Sequence, residues 1–373
     1  MQSMVVGKAV TPHGVVTDAR LTFEDGRIVE VSEGAPDAPA LWAVPGFVDT
    51  HCHGAVQVSF GDEDRDANRR ARQYHLTQGT TTLFASTVTL SVDDLVAQET
   101  VLRELYDEGV IDGIHLEGPF LAPEKKGAHP LDLLIDPDPA SVERLIEAGG
   151  PALKMITMAP ERQYSMKAIE RFAEAGVCVA FGHSNADAEI CRASIVAGAT
   201  AATHLFNAMN GIHHREPGPV PGLLHDDRIL LEMICDGVHV HPDVIRMVYE
   251  AAGPDRIGLV TDAMSATGSE DGDYMLGNLA VQVRSGVARL ATEDGSQGAI
   301  AGSTLTMAEA FRFCVSDVGL PVPDVARMAA TTPARYHNLG DVGELLPGRY
   351  ADVCLVDDEG RLHEVWRRGE RIV

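Results

Sequence analysis

Six apolar runs of the sequence are followed directly by side chains that can bind a metal ion or move a proton. The side chains concerned are His51, His53, His115, Glu117, His183, His204, Asp236, His239 and Asp262. His51 and His53 stand one residue apart, so in a strand both would point to the same face and could bind one ion. Imidazole and carboxylate groups are typical ligands of Zn²⁺ and related divalent metals. One histidine after a strand is usually a hydrogen-bonded core residue, but six such ends indicate a metal-dependent catalytic site.

Eight units of strand followed by helix are needed to position these side chains. The apolar runs lie near residues 44–50, 80–86, 113–117, 153–158, 177–182, 199–204, 229–235 and 257–262. Helical patterns fall between most of them, at residues 64–78, 92–108, 141–148 and 243–251. This alternation predicts an α/β fold, a (β/α)8 TIM barrel whose catalytic groups project from the C-terminal ends of the strands. The first strand is not followed by G-x-G-x-x-G and no Walker A sequence occurs, which counts against a nucleotide-binding fold.

Both ends of the chain have a different pattern from the middle. Short alternating strands flank a turn at Asp25-Gly26, and residues 351–356 begin a similar β-rich stretch near the other end. We therefore expect a small β-sandwich domain formed by residues 1–43 and 345–373, and a TIM-barrel domain at 44–344. Residues 265–300, rich in Gly, Asp and Glu, predict a β-hairpin insertion after the eighth strand.

Composition restricts the partners of the protein. A formal net charge of -25 argues against a nucleic-acid partner, because phosphates would be repelled. An anionic small substrate would then need local donors, so the lone Arg215 in a loop is informative. The six cysteines are scattered without a C-x-x-C pair, and no apolar run is long enough to cross a membrane. We expect no membrane partner and a cytoplasmic location.

An ordered set of motifs resembles a known family. The segment 45–54, Pro-Gly-Phe-Val-Asp-Thr-His-Cys-His-Gly, is similar to the first-strand motif of the amidohydrolase superfamily. Further segments resemble a narrower group, the N-acetylglucosamine-6-phosphate deacetylases. They are residues 115–120 (HLEGPF), 125–129 (KKGAH), 182–184 (GHS), 203–209 (THLFNAM), 215–218 (REPG), 236–239 (DGVH), 261–264 (TDAM) and 301–307 (AGSTLTM). These matches run in order along almost the whole chain, which makes the resemblance specific.

The resemblance implies hydrolysis of an acetamide with one or two divalent ions per chain, Zn²⁺ being expected. The implied metal ligands are His51, His53, Glu117, His183, His204 and Asp262. Asp262 would also take the proton of the attacking water and return it to the amine, while His129 would steady the acetyl oxygen. Many family members carry a Gln-x-Asn-like sequence in place of His51 and His53 and hold one ion, so this chain should be able to hold a second. The region after the fourth run, residues 157–160, lacks the lysine that other amidohydrolases use as a bridge.

The resemblance also assigns the substrate, a phosphorylated amino sugar. The implied substrate-binding residues are Ala128, His129, Asn207, Ala208, Arg215, Asp236, His239, Ile300, Ala301 and Gly302. A guanidinium binds phosphate through paired hydrogen bonds, and the counterpart of Arg215 in family members can reach across a dimer interface. We therefore expect a homodimer. Ser303 has no nucleophile-elbow context and is expected to cap the following helix instead.

Three alternatives stay open at this point. A deacetylase for the galacto epimer would share nearly every motif. Another amidohydrolase, such as an adenine or guanine deaminase, would share the metal site. A catalytically silent metal- or sugar-phosphate-binding protein would be expected to lack Asp262, which is present.

Overall fold

The computed structural model describes residues 1–35, 38–292 and 296–373 of the chain, and its centre is a barrel of eight parallel strands. The barrel strands are β1 (Phe47–Cys52), β2 (Thr80–Thr87), β3 (Gly113–Glu117), β4 (Leu153–Met158), β5 (Cys178–Phe181), β6 (Ala199–Ala202), β7 (Leu230–Met233) and β8 (Ile257–Leu259). Each strand pairs with the next in sequence. The first and eighth meet beyond their strand ends, where the N–H of His53 donates to the carbonyl of Ala263 at 2.8 Å. The predicted TIM barrel is confirmed.

Helices follow the barrel strands on the outside. They are α1 (Arg65–Thr77), α2 (Val92–Asp107), α3 (Pro139–Gly149), α4 (Ser165–Glu174), α5 (Ala188–Ala197), α6 (Val220–His225), α7 (Pro242–Ala252) and α8 (Met307–Ser316). Local sequence fixes their starts: Asp64 accepts from two N–H groups of the first turn of α1, and Ser91 accepts from one in α2. The four predicted helical patterns all coincide with helices to within two residues. Among the described residues, no helix combines the length and the apolar character needed to span a bilayer.

Shorter helical pieces complete the barrel domain. Single 3₁₀ turns occur at Pro123–Lys125, Leu131–Leu133 and Gly150–Ala152, and the chain after α8 forms Val322–Ala326, a π-helical turn at Arg327–Thr331, and Thr332–Tyr336. A two-stranded hairpin, Gly54–Ala55 with Val58–Ser59, follows β1. These pieces pack around the barrel and its loops.

The small domain combines strands from both ends of the chain in one sheet. The order across the sheet is Glu370–Arg371, Leu362–Arg367, Val353–Val356, Trp42–Pro45, Gln2–Thr11, Gly14–Glu24 and Arg27–Ser32. Side chains from both arms share one hydrophobic cluster, in which Val6 and Leu21 join Val353 and Leu355. The predicted small β-sandwich formed by both termini is confirmed. We keep the division into 1–43 with 345–373 and 44–344 as a proposal; residues 36–37 lie outside the described part.

The insertion after β8 differs from the predicted hairpin. Three antiparallel strands occur, Gly272–Leu276, Leu279–Arg284 and Val287–Leu290. The extra strand has a physical reason: Val281, Val283 and Ala288 bury their side chains in a cluster with Met264 and Ala301, which a two-stranded hairpin could not cover. The predicted span 265–300 includes residues 293–295, which lie outside the described residues.

Candidate metal centre and active-site cavity

The candidate ligands lie at the C-terminal rim of the barrel, where the chain turns sharply after each strand. His183, His204 and Asp262 follow β5, β6 and β8 by two or three residues and have φ values of 47°, 29° and 51°. Non-glycine residues rarely adopt this left-handed region, and it is found at functional sites where the surroundings hold it. These turns direct the three side chains toward the barrel axis.

A first group of ligand atoms contains His51, His53, Glu117 and Asp262, all within 4.8 Å of one another. The Nε2 atom of His53 lies 3.2 Å from a carboxylate oxygen of Glu117 and 3.2 Å from one of Asp262. His51 Nε2 lies 3.6 Å from each of the same two carboxylates. All four residues are buried.

A second group contains His183, His204 and again Glu117. The two histidine Nε2 atoms each lie 3.1 Å from Glu117 Oε1, whereas His53 approaches Oε2. The Glu117 carboxylate is therefore shared between the two groups: Oε1 lies nearest His183 and His204, Oε2 lies nearest His53, and His51 Nε2 lies 3.6 Å from Oε1. This arrangement suits a carboxylate that bridges two ions.

The chemistry of the donor set fits a divalent cation. His51 Nε2 and His53 Nε2 lie 3.1 Å apart, and His183 Nε2 and His204 Nε2 lie 3.0 Å apart. Imidazole nitrogens at this distance direct lone pairs at one another unless a proton or a cation lies between them. Two buried carboxylates beside four imidazoles complete a ligand set of the kind that Zn²⁺ and similar metals take.

The electrostatics of the site favour positive charge on the imidazole side. Burial lowers the pKa of His51, but the carboxylates of Glu117 and Asp262 outweigh it and raise that pKa well above its usual range. Burial likewise raises the pKa of Glu117 and of Asp262, but the neighbouring histidines, His51 first, hold both below their usual range. Both carboxylates are thus anionic at neutral pH, as metal ligands must be.

Other buried side chains orient these ligands. His51 Nδ1 lies 3.4 Å from Glu232 Oε2, and His183 Nδ1 lies 2.8 Å from the carbonyl of Lys125. Glu232 was missed by the sequence analysis, although a carboxylate inside the apolar run 229–235 needs a buried partner. His115, by contrast, bonds to Ser86 and Thr157 and is a satisfied core histidine.

His129 has a defined tautomer. The backbone N–H of Thr89 donates to His129 Nδ1 at 3.3 Å, and the Thr89 hydroxyl lies 2.9 Å from the same nitrogen. Since Nδ1 accepts, the ring proton lies on Nε2, which is 3.5 Å from Glu117. Burial lowers the pKa of His129 to about 4, so the ring is neutral at neutral pH. A neutral N–H donor faces the cavity beside the ligands.

A cavity of about 330 Å³ opens above both ligand groups. It is lined by most of the predicted substrate-binding residues, namely Ala128, His129, Asn207, Ala208, His239, Ile300 and Gly302. The cavity is also lined by Lys125, the first residue of the K-K-G-A-H segment, and by Glu124 just before it. Neither was predicted as a substrate-binding residue. The Nδ1 of His239 bonds to Asp236 at 2.7 Å, so Asp236 holds the histidine from behind rather than facing the cavity.

Besides Asp236, two predicted substrate-binding residues do not line the cavity, and one predicted helix cap is wrong. Arg215 is exposed in the loop after β6, where its Nη1 lies 2.7 Å from His214 Nε2. The side chain of Ala301 is fully buried in the cluster of the insertion. Ser303 does not cap α8, contrary to expectation: its hydroxyl donates to the carbonyl of Thr261. Thr306 is the cap, since it forms a capping box with Glu309.

The chain is similar to proteins of known name. A sequence profile of the amidohydrolase family matches residues 42–372. N-acetylglucosamine-6-phosphate deacetylase of Lysinibacillus sphaericus is 33% identical over 93% of this chain and 91% of that protein. N-acetylgalactosamine-6-phosphate deacetylase of Escherichia coli O157:H7 is 34% identical over 97% of each. The structure of a mutant N-acetyl-D-glucosamine-6-phosphate deacetylase from Mycobacterium smegmatis, in complex with N-acetyl-D-glucosamine-6-phosphate, superposes with a TM-score of 0.95 at 42% identity, covering 100% of this chain and 99% of that one.

Proposed function

The chain belongs to the amidohydrolase family, and from this premise we propose that it hydrolyses N-acetylglucosamine 6-phosphate to glucosamine 6-phosphate and acetate. The observation that carries the proposal is the shared position of Glu117 between two histidine groups below a cavity lined by seven of the residues that the sequence resemblance assigns to the substrate. The 42% identity to a deacetylase structure holding this substrate supports the choice of substrate.

The metal site takes one or two divalent ions, and we propose zinc. His183, His204 and Glu117 would hold one ion, and His51, His53, Asp262 and the other oxygen of Glu117 would hold the second. A divalent ion at such a site acts as a Lewis acid and makes water acidic enough to lose a proton near neutral pH. The ligand set combines four histidines with two carboxylates. Its nitrogen ligands support zinc over Mg²⁺ or Ca²⁺, which prefer oxygen ligands.

Asp262 and His129 supply the proton transfer and the hydrogen bond that hydrolysis needs. The anionic Asp262 accepts a proton from the water that attacks the acetyl carbon. The same carboxyl then gives that proton to the amine nitrogen as the C–N bond breaks. His129 Nε2–H donates to the acetyl oxygen, where negative charge accumulates in the transition state.

Phosphate recognition is the part of the proposal that involves a second copy of the chain. Asn207 and Ala208 line the cavity, whereas Arg215 is exposed on the loop that follows them. We propose a homodimer in which Arg215 of each copy serves the cavity of the other. All six cysteines are free, which supports a reducing compartment, and we propose the cytoplasm.

The test is acetate release from three substrates by metal-replete protein. N-acetylglucosamine 6-phosphate should be cleaved with the highest kcat/KM, ahead of the unphosphorylated sugar and of N-acetylgalactosamine 6-phosphate. The galacto epimer is the second candidate, since a relative with that name is 34% identical. A higher kcat/KM for N-acetylgalactosamine 6-phosphate would make that epimer the preferred substrate in place of N-acetylglucosamine 6-phosphate. No acetate release from any of the three substrates would refute the deacetylase proposal.

A further inference from the structure

Glu232 is a fully buried carboxylate on β7, inside the barrel and below the metal ligands. Its Oε2 lies 3.4 Å from His51 Nδ1, and its Oε1 accepts the hydroxyl proton of Thr50 at 3.1 Å. A buried carboxylate without polar partners would cost several kcal/mol. Both partners of Glu232 belong to β1, so the carboxylate links β7 to β1, the two strands on either side of β8.

The four candidate metal-binding histidines differ in what lies behind them. His51 has the carboxylate of Glu232 at Nδ1, whereas His183 has only a backbone carbonyl. The Nδ1 atoms of His53 and His204 are buried without a hydrogen-bond partner among the described residues. His51 is therefore the one histidine of the four, within the described chain, whose Nδ1 atom is paired with a carboxylate.

This pairing decides which nitrogen of His51 faces the ligand group. Because Glu232 accepts at Nδ1, the ring proton lies on Nδ1 and the lone pair on Nε2. Nε2 is the atom that lies 3.1 Å from His53 Nε2 and near Glu117 and Asp262. A carboxylate behind a ligating histidine also makes its other nitrogen a stronger donor.

We infer that Glu232 is a positioning residue that acts through His51 to secure the ion held by His51 and His53. The inference rests on the two-ion reading of the proposed function. The ion at His183 and His204 is expected to be indifferent to it, since the Glu232 carboxylate bonds to neither histidine in the described part of the chain.

The test is a metal titration of the Glu232→Gln variant, in which the amide keeps the shape but loses the charge. Competition with a chromophoric chelator should give two Zn²⁺ dissociation constants for the wild type. In the variant the dissociation constant of the ion at His51 and His53, which we take to be the weaker of the two, should rise by about 10- to 100-fold, the usual effect of removing such a partner. The dissociation constant of the ion at His183 and His204 should stay within about twofold. Thr50→Val is the matched control, because it removes the other hydrogen bond to the same carboxylate and leaves the His51 contact. With Co²⁺, the visible absorption of the second equivalent should change in Glu232→Gln and not in Thr50→Val.

A combined variant separates positioning from a merely structural role. If Glu232 acts through His51, adding Glu232→Gln to His51→Gln should cause no further loss of metal affinity. Equal dissociation constants in Glu232→Gln and wild type, or additive losses in the combined variant, would overturn the inference. Wild-type protein that binds one ion only would overturn it together with the two-ion premise. Acetate release is measured separately, so failure of the deacetylase proposal would be visible on its own.

Discussion

Glu99 provides a prediction that can be worked out from burial alone. It lies on α2 in line with Leu95 and Leu102, on the face that packs into the core, and it is fully buried. Neither carboxylate oxygen has a hydrogen-bond partner in the described structure. Burial raises the pKa of Glu99 from 4.5 to about 9, so the folded protein holds this carboxyl protonated at neutral pH.

The sign and size of the effect on stability follow from this difference. Below pH 4.5 both the folded and the unfolded chain hold the proton, and burial of the carboxyl carries no titration penalty. Between pH 4.5 and 9 only the unfolded chain loses the Glu99 proton. The free energy of unfolding therefore falls by about 1.4 kcal/mol for each pH unit. The penalty reaches about 3 kcal/mol at pH 7.

The perturbation is Glu99→Met, which fills a similar volume without a titratable group. Urea unfolding of wild type and variant, with the same metal present, should show a stability difference that grows by about 4 kcal/mol in favour of the variant from pH 5 to 8. Titration of the metal ligands cancels in this difference. Thr100→Ala is the control, since Thr100 is an exposed residue of the same helix without a titratable group, and its stability difference should not change with pH. A constant difference for Glu99→Met would refute the reasoning.

The remaining predictions concern the metal centre and the substrate. Elemental analysis should give two divalent ions per chain for the wild type and close to one for the His51→Gln, His53→Asn double variant; one ion in both would remove the two-ion reading. Arg215→Ala should raise KM for the phosphorylated sugar by about 10- to 100-fold, the worth of a charged hydrogen-bonding pair, and far more than for the bare sugar. Equal losses on both would make Arg215 structural. Asp262→Asn should lower kcat by about 10²- to 10⁴-fold at unchanged metal content, and turnover within tenfold of wild type would sink its role as proton carrier.

The parts of the fold that local signals determine were predictable. Asp64 caps α1 and Gln78 ends it, as the pattern at 64–78 indicates. The convergence of the six candidate metal ligands also follows from sequence, because a barrel brings all strand ends to one rim. Thr306 could have been identified as the cap of α8, since a glutamate stands three residues later and completes a capping box.

The parts that depend on distant contacts were not predictable. Glu232 meets His51 only because closure of the barrel brings β7 and β1 to either side of β8, and no local sequence pattern predicts a contact between residues 181 positions apart. The third strand of the insertion forms because its apolar side chains find cover against Met264 and Ala301, which belong to other segments. The position of Arg215 depends on what its exposed loop packs against, and the amino-acid sequence of the loop does not determine that contact.

The sheet of the small domain has a consequence for how the protein is made. Trp42–Pro45 leaves the ribosome early and can pair at once with Gln2–Thr11, but its other neighbour, Val353–Val356, is synthesised only after the whole barrel. Until then one edge of Trp42–Pro45 offers unpaired N–H and C=O groups, the kind of edge that recruits strands from other chains. Pairing over so long a stretch of chain is slow, so the last thirty residues complete the fold and protect the nascent protein from association with its own copies.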